Sequence, residues 1–254
     1  MLRHLKHGTR GYICNLMLQL ANANIYRKNE GTVLSGVFKG IYLKNQEVFG
    51  SITAKLLGTY EMELAPVLKI LQLRNPRLIV NIGGAEGYYA IGIVCLWKAN
   101  RAIVYEASQK GRELIAANAR LNEIDHKIGI KGICTEQELF ELVTLESVDL
   151  LVMDVEGEEL ELLSKRVIEK LKFSAVLIES HDFCMPGCID KLKEKLSATH
   201  KLTLAHSRMR THEDFPYKSF MSKNIKCMLM DEKRPEKMQW LIGLPMISQE
   251  SLNT

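Results

Sequence analysis

The sequence predicts an α/β fold built on a doubly wound, seven-stranded, mostly parallel sheet with an antiparallel strand at its edge. Three observations lead there. Short runs that are apolar throughout recur between residues 78 and 178, and a helix-period stretch separates each run from the next. Two further strand-like runs come after a polar loop late in the chain. Strands buried on both faces need helices above and below them, which is how a parallel sheet is covered.

Taken in order, residues 1–56 have no steady period and are expected to form an N-terminal helical and hairpin extension. Arg3, Lys6 and Arg10 precede Ile13–Leu20, and Ala21-Asn22-Ala23 imitates a signal cleavage site. Asn15 and Gln19 interrupt that apolar stretch, so an amphipathic helix over roughly 12–27 and a cytoplasmic location are expected instead. Gly31, Gly36, Gly40 and Gly50 punctuate residues 31–50, with strand-like pieces at Val33–Phe38 and Ile41–Leu43. A helical pattern runs over 51–73, broken at Gly58 and Pro66.

The main domain is expected over 57–247, with a short tail at 248–254. Its strands are Leu78–Ile82, Ala102–Tyr105, Ile128–Ile133, Val148–Met153, Ala175–Ile178, Lys201–His206 and Ile225–Met230. Helices are expected near 88–98, 109–122, 136–145, 158–172 and 188–198.

Composition narrows the class further. Of 254 residues, 46% are hydrophobic and 25% charged, which excludes a disordered tail, a collagen-like fibre and a small disulfide scaffold. No run of about 18 apolar residues occurs, so no transmembrane helix is expected. The net charge of +4 is too small to argue anything alone, and no nucleic-acid partner is expected. Residues 1–60 do carry eight Lys or Arg against two Glu, a balance that suits a solvated surface better than an anionic partner, because no dense basic run is present. Six scattered cysteines, with Cys184 and Cys188 the one close pair, fit free thiols in a reducing compartment rather than a zinc site.

Ligands of open α/β sheets bind outside the carboxyl ends of the strands, so the residues just past each strand carry the chemistry. After the first strand comes Asn81-Ile82-Gly83-Gly84-Ala85-Glu86-Gly87, then a helix starting near Tyr88. This is a Gly-x-x-x-Gly loop and lacks the Gly-x-Gly-x-x-Gly spacing of a pyrophosphate binder. Such a loop lets backbone approach a ligand and aims helix N-terminal amides at it. Glu106 ends the second strand, 19 residues after Gly87, where a carboxylate can accept hydrogen bonds from ribose hydroxyls. Together the two features point to a ligand containing adenosine.

The fourth strand ends in Asp154-Val155-Glu156-Gly157-Glu158-Glu159 and the fifth in Glu179-Ser180-His181-Asp182. Alternation sends Asp154 and Glu156 to one side, and neighbouring parallel strands would gather Asp154, Glu156, His181 and Asp182 around one crevice. Glu158 and Glu159 read as charges at a helix N-terminus.

The stretch Val80–Ile91, with Glu106 and Asp154-Val155-Glu156-Gly157-Glu158-Glu159-Leu160, resembles the FkbM-like class I S-adenosylmethionine-dependent methyltransferases. Gly58-Thr59-Tyr60-Glu61 resembles the segment that precedes the glycine loop in such proteins. The resemblance implies a Rossmann-like domain that binds S-adenosylmethionine. It further implies that Gly83, Gly84, Glu86 and Gly87 cradle the methionine part, with Tyr60, Glu61 and Asn81 beside it. Glu106 would take the ribose and Asp154 would lie near the methyl donor. Asn81 stands where the family usually has Asp, so it keeps a hydrogen bond and loses a charge. Neither Asn-Pro-Pro-Tyr nor Pro-Cys is present, which argues against base-modifying enzymes of those types.

The expected function is methyl transfer to a hydroxyl of a small molecule or saccharide, with no membrane or nucleic-acid partner. His181 is the first candidate for the base, Asp154 the second, and Glu156 joins them in the catalytic group. A divalent metal held by Asp154, His181 and Asp182 is the alternative to a metal-free mechanism, which is preferred. Two rivals stand beside this reading: an NAD-dependent Rossmann enzyme, and a methyltransferase-like binding module without catalysis.

Overall fold

The computed structural model describes residues 9–234 and 236–246. Arg3, Lys6 and the tail over 248–254 lie outside the described residues. A long helix α1 (Thr9–Asn29) opens the chain and lays Leu18, Ala21 and Ile25 against Leu57, Phe215, Leu229 and Met230. It outruns the expected 12–27 at both ends, and Leu16, Met17 and Leu20 on its other side are exposed, so it is amphipathic in part only. The two strand-like pieces after it reduce to a single antiparallel bridge between Thr32 and Tyr42. Beyond them lie α2 (Ile52–Leu57), capped by the Ser51 side chain and ended by Gly58, and α3 (Ala65–Leu73), which carries Pro66 in its first turn.

The sheet then alternates with helices: β1 (Leu78–Ile82), α4 (Tyr88–Leu96), β2 (Arg101–Tyr105), α5 (Gln109–Leu121), β3 (Ile128–Lys131), α6 (Glu136–Leu145) and β4 (Leu150–Met153). The helix expected over 158–172 is split into α7 (Glu159–Leu162) and α8 (Lys165–Lys170), because the Ser164 side chain caps a new helix at the Val167 amide. After these come β5 (Ala175–Ser180), α9 (Cys188–Leu196) and β6 (His200–His206).

One expected strand is wrong. Residues 225–230 form the helix α10 (Lys223–Leu229), started by Ser222, whose hydroxyl accepts from the Ile225 amide. Its Leu229 is buried against α1, a contact that overrides the strand-like Ile, Cys and Met content. The seventh strand is instead β7 (Gln239–Pro245). The sheet order is β3-β2-β1-β4-β5-β7-β6, all parallel except that β7 runs antiparallel to both neighbours near one edge.

Alternate residues of the strands feed two cores. Ile79, Val104, Val152 and Leu177 pack on one face against Ile91 and Ile115, and also against Val33, Phe38 and Leu43, so the N-terminal extension shares this core. Val80, Ile103, Leu151 and Val176 pack on the other face against Leu139, Val167 and Leu192. The strand order reverses direction between β1 and β4, the place where such sheets open a crevice. Register aligns Ile82 with Tyr105 and with Met153, and Met153 with Ile178, so Gly83, Glu106, Asp154 and Glu179 emerge in one row. Among the described residues no helix is long and apolar enough to cross a membrane.

Candidate active site

The glycine loop is shaped by contact with its own chain. A Cβ on Gly83 would overlap the carbonyl oxygen of Asp154, and one on Gly84 would overlap Val104 Cγ1. Only glycine lets the loop pass this close to β4 and β2. The amides of both glycines donate to the carbonyl of Tyr105 at 2.9 and 3.0 Å. They therefore fix the loop rather than point at a ligand. Gly87 N-caps α4 with φ +91° and, being glycine, brings no side-chain acceptor to the first amides of that helix.

Glu106 closes the far side of the loop. Its carboxylate is buried and accepts from the amides of Ala85 at 2.6 Å and Ser108 at 2.7 Å. Carboxylate oxygens have lone pairs left after one such bond each, so a ribose hydroxyl can still be received there. Glu86, expected among the ligand-binding residues, turns the other way. Its carboxylate is fully buried in an ion pair with Lys55 and accepts from the Val48 amide at 3.3 Å. One of the eight basic residues of the N-terminal region is thus structural. Asn81 is buried on β1, with its Nδ2 donating to the Val152 carbonyl at 3.5 Å.

Asp154, Glu156 and His181 do come together. His181 is 1% exposed; its Nε2 lies 3.3 Å from Asp154 Oδ1 and 3.6 Å from Glu156 Oε2. The carboxylate side chains are 33% and 55% exposed, so the cluster has a buried imidazole and two carboxylates open to the crevice. Glu156 reaches its place through a left-handed turn, φ +54°, with Gly157 next at φ +116°. Asp182 does not join them. It accepts from Ser180 Oγ at 2.6 Å and from the Ile189 amide at 3.3 Å, and so faces the start of α9.

Glu159, expected to be a helix-end charge, is fully buried and hydrogen-bonded to His181 Nδ1. A Glu at the last acidic position of an Asp-x-Glu-x-x-Glu run, facing a His on the next strand, is the signal that could find it. Burial opposes the charged imidazole of His181, but the bonds to Asp154 and Glu159 outweigh it and push its pKa up to about 10. The carboxylates on both sides favour the imidazolium form of the ring. A proton acceptor near neutrality needs an unprotonated nitrogen, a form of His181 that its two carboxylate partners disfavour. Burial raises the Glu156 carboxyl, with nearby His181 opposing the rise.

A second group of charges borders the row. Arg234 reaches Glu61 and Glu179 in close ion pairs and Glu232 at 2.7 Å. Tyr89 donates its hydroxyl to Glu61, and the Tyr60 ring lies 5.7 Å from the Arg234 guanidinium. Sequence reasoning misses both Glu179 and Arg234, since nothing local marks a residue whose partners lie 55 and 173 positions away.

Ligand atoms of Asp154, Glu156 and His181 all lie within 4.8 Å of one another, a spacing that a divalent cation fits once His181 gives up its proton. The site residues therefore differ from the expected metal trio, with Glu156 in place of Asp182.

A doubly wound sheet with this row of glycines and acids along its carboxyl edge defines a class I, Rossmann-like methyltransferase. The methyltransferase FkbM domain matches residues 61–195, and the chain belongs to that family of S-adenosylmethionine-dependent methyltransferases. In structure the chain is similar to the precorrin-6y C5,15-methyltransferase from Geobacter metallireducens GS-15, with a TM-score of 0.54 at 16% identity over 72% of this chain and 87% of that one. It is also similar to an O-methyltransferase from Bacillus cereus in complex with SAH, with a TM-score of 0.47 at 14% identity over 69% and 77%. The O-methyltransferase TomG from Streptomyces achromogenes, in complex with SAM, gives 0.47 at 14% over 71% and 80%. No curated protein matches the chain in sequence.

Proposed function

We propose that the protein transfers a methyl group from S-adenosylmethionine to a hydroxyl of a small molecule or saccharide. The observation that carries this reading is the position of Asp154. Its backbone is pressed against Gly83 of the glycine loop, while its side chain opens to the crevice under the hold of His181. When bound, S-adenosylmethionine supplies a methyl on a sulfonium leaving group. Glu106 and the first turn of α4 hold the adenosine and methionine ends. Asp154 takes the proton of the acceptor hydroxyl, and the His181 imidazolium keeps Asp154 and Glu156 in place. Most of the acceleration comes from holding the acceptor oxygen in line with the methyl carbon.

A cavity of about 620 Å³ is lined by Met209, Arg210, Met230, Glu232 and Arg234 among others, and Arg234, the ion-pair partner of Glu179, connects it to the row. Its volume suits a small acceptor. A second mechanism keeps the same residues and adds a divalent cation at Asp154, Glu156 and His181, favoured by the 4.8 Å spacing of their ligand atoms. Such an ion would lower the pKa of the acceptor hydroxyl. The test of the function is methyl transfer from radiolabelled S-adenosylmethionine to a panel of sugars and phenols. Label in a product ether supports it; label only in amine or carbon products moves the acceptor class.

A further inference from the structure

The glycine loop is held from outside as well as by its own strands. Ala85, at its tip, is a non-glycine residue in the left-handed region, φ +48°, and Gly87 follows at φ +91°. An alanine keeps such a conformation only where its surroundings impose it. Glu106 holds the Ala85 amide from one side. The hold on the next residue, Glu86, comes from residues 42–55 of the N-terminal extension.

Lys55 is buried, pairs with the fully buried carboxylate of Glu86 and donates to the Phe49 carbonyl at 3.1 Å. The Val48 amide donates to the other Glu86 oxygen at 3.3 Å. Asn118 of α5, also fully buried, donates to the Glu86 carbonyl at 2.9 Å and accepts from the Lys44 amide at 2.8 Å. One side-chain amide thus ties loop and extension together. A turn further along α5, Asn122 accepts from the Tyr42 amide at 2.9 Å and donates to the Tyr42 carbonyl at 2.8 Å. Two asparagines spaced four apart on one helix face therefore serve residues 42–44 as a neighbouring strand would.

We propose that Lys55 and Asn118 are positioning residues for the methyl donor. They act through Glu86 to keep the loop tip in its left-handed turn, so that docking of residues 42–55 and binding of the donor support each other. The inference rests on the methyltransferase reading. Without that hold the strain at Ala85 relaxes, and its amide leaves the carboxylate of Glu106, which that reading assigns to the ribose. Such coupling is reciprocal: whatever factor the docked segment adds to donor affinity, the bound donor adds to docking of the segment.

Calorimetry with S-adenosylmethionine and S-adenosylhomocysteine tests one direction, at a temperature where melting curves show each variant folded. Lys55→Met leaves a buried carboxylate unpaired and should weaken both ligands about tenfold. Lys55→Met/Glu86→Gln keeps the acceptor for Val48 without the unpaired charge and should regain most of that loss. A pair that serves stability alone would shift the melting temperature and leave both dissociation constants unchanged, and that result overturns the inference. Hydrogen exchange on the wild-type protein tests the other direction and needs no variant to fold. Saturating S-adenosylmethionine should slow the Lys44 and Val48 amides about tenfold more than the amides of β6 at the far edge of the sheet. Equal slowing in both places, or none at Lys44 and Val48, overturns the inference as well. Absence of binding to the wild-type protein is a separate result, which sinks the methyltransferase reading itself.

Discussion

Glu106 joins the amide of Ala85 at 2.6 Å, so the carboxylate that ends β2 also fixes the middle of the glycine loop. The two jobs cannot be separated by removing the side chain. Glu106→Ala should weaken S-adenosylmethionine binding by one charge-assisted hydrogen bond or more, about 1.5–3 kcal/mol each. It should also lower the melting temperature, because the Ala85 and Ser108 amides lose their acceptor. Calorimetry together with a thermal melt separates the effects; unchanged affinity would return Glu106 to a purely structural role.

The loop lacks the spacing of a dinucleotide binder, and this predicts a choice of cofactor. At a hundred times its dissociation constant, S-adenosylmethionine should stabilise the protein by about 2.7 kcal/mol, while NAD should give no shift. A shift with NAD alone would discard the family's cofactor for this chain.

Gly83 gives a prediction about stability. A Cβ there would collide with the Asp154 carbonyl from a backbone held at φ +78°, and neither strand can retreat without breaking the register of β1 with β4. Gly83→Ala should cost at least about 3 kcal/mol in denaturant unfolding. A loss below about 1 kcal/mol would mean that the loop is less tightly wedged than the contacts indicate.

His181 predicts a dependence on pH. Its pKa stands at about 10 in the folded protein against an ordinary 6.5, so the proton is bound more tightly in the fold. That contribution to stability is whole below pH 6.5 and is lost as pH rises towards 10. The wild-type melting temperature should fall across that window, and His181→Gln should be flatter. The same variant should lose turnover, on the order of a hundredfold, through disordered carboxylates. A variant with wild-type turnover would remove His181 from the site.

Chelation decides between the two mechanisms. With a protonated His181 the metal-free route predicts that activity survives exhaustive treatment with a chelator. Activity abolished by the chelator and restored by magnesium or manganese would assign Asp154, Glu156 and His181 to a cation.

The parts legible in the sequence are those carried by local pattern. Six of the seven strands, the glycine loop and the Asp154–Glu156–His181 convergence come from apolar runs and from the residues that stand at their ends. The last strand escapes because Gly243 and Pro245 interrupt a short run, while the apolar content of 225–230 is the more strand-like of the two. Its Gly243 is needed, since a Cβ there would meet Val176 Cγ2 at 2.6 Å. The turn of Glu86 towards Lys55 is also hidden. A loop glutamate can satisfy a ligand or a buried lysine, and only tertiary packing decides which.

The place of β7 has a consequence for how the chain is made. Among the described residues β6 has no sheet partner except β7, which is the last of their strands to be synthesised. Until residues 239–245 emerge from the ribosome, β5 is a bare edge offering its hydrogen bonds to any passing strand, and 200–206 has nothing to pair with. Biogenesis is therefore a race between completion of the chain and aggregation at β5, a stage at which a chaperone would bind. Chains stopped short of residue 239 should be degraded even though the glycine loop and His181 have already been translated.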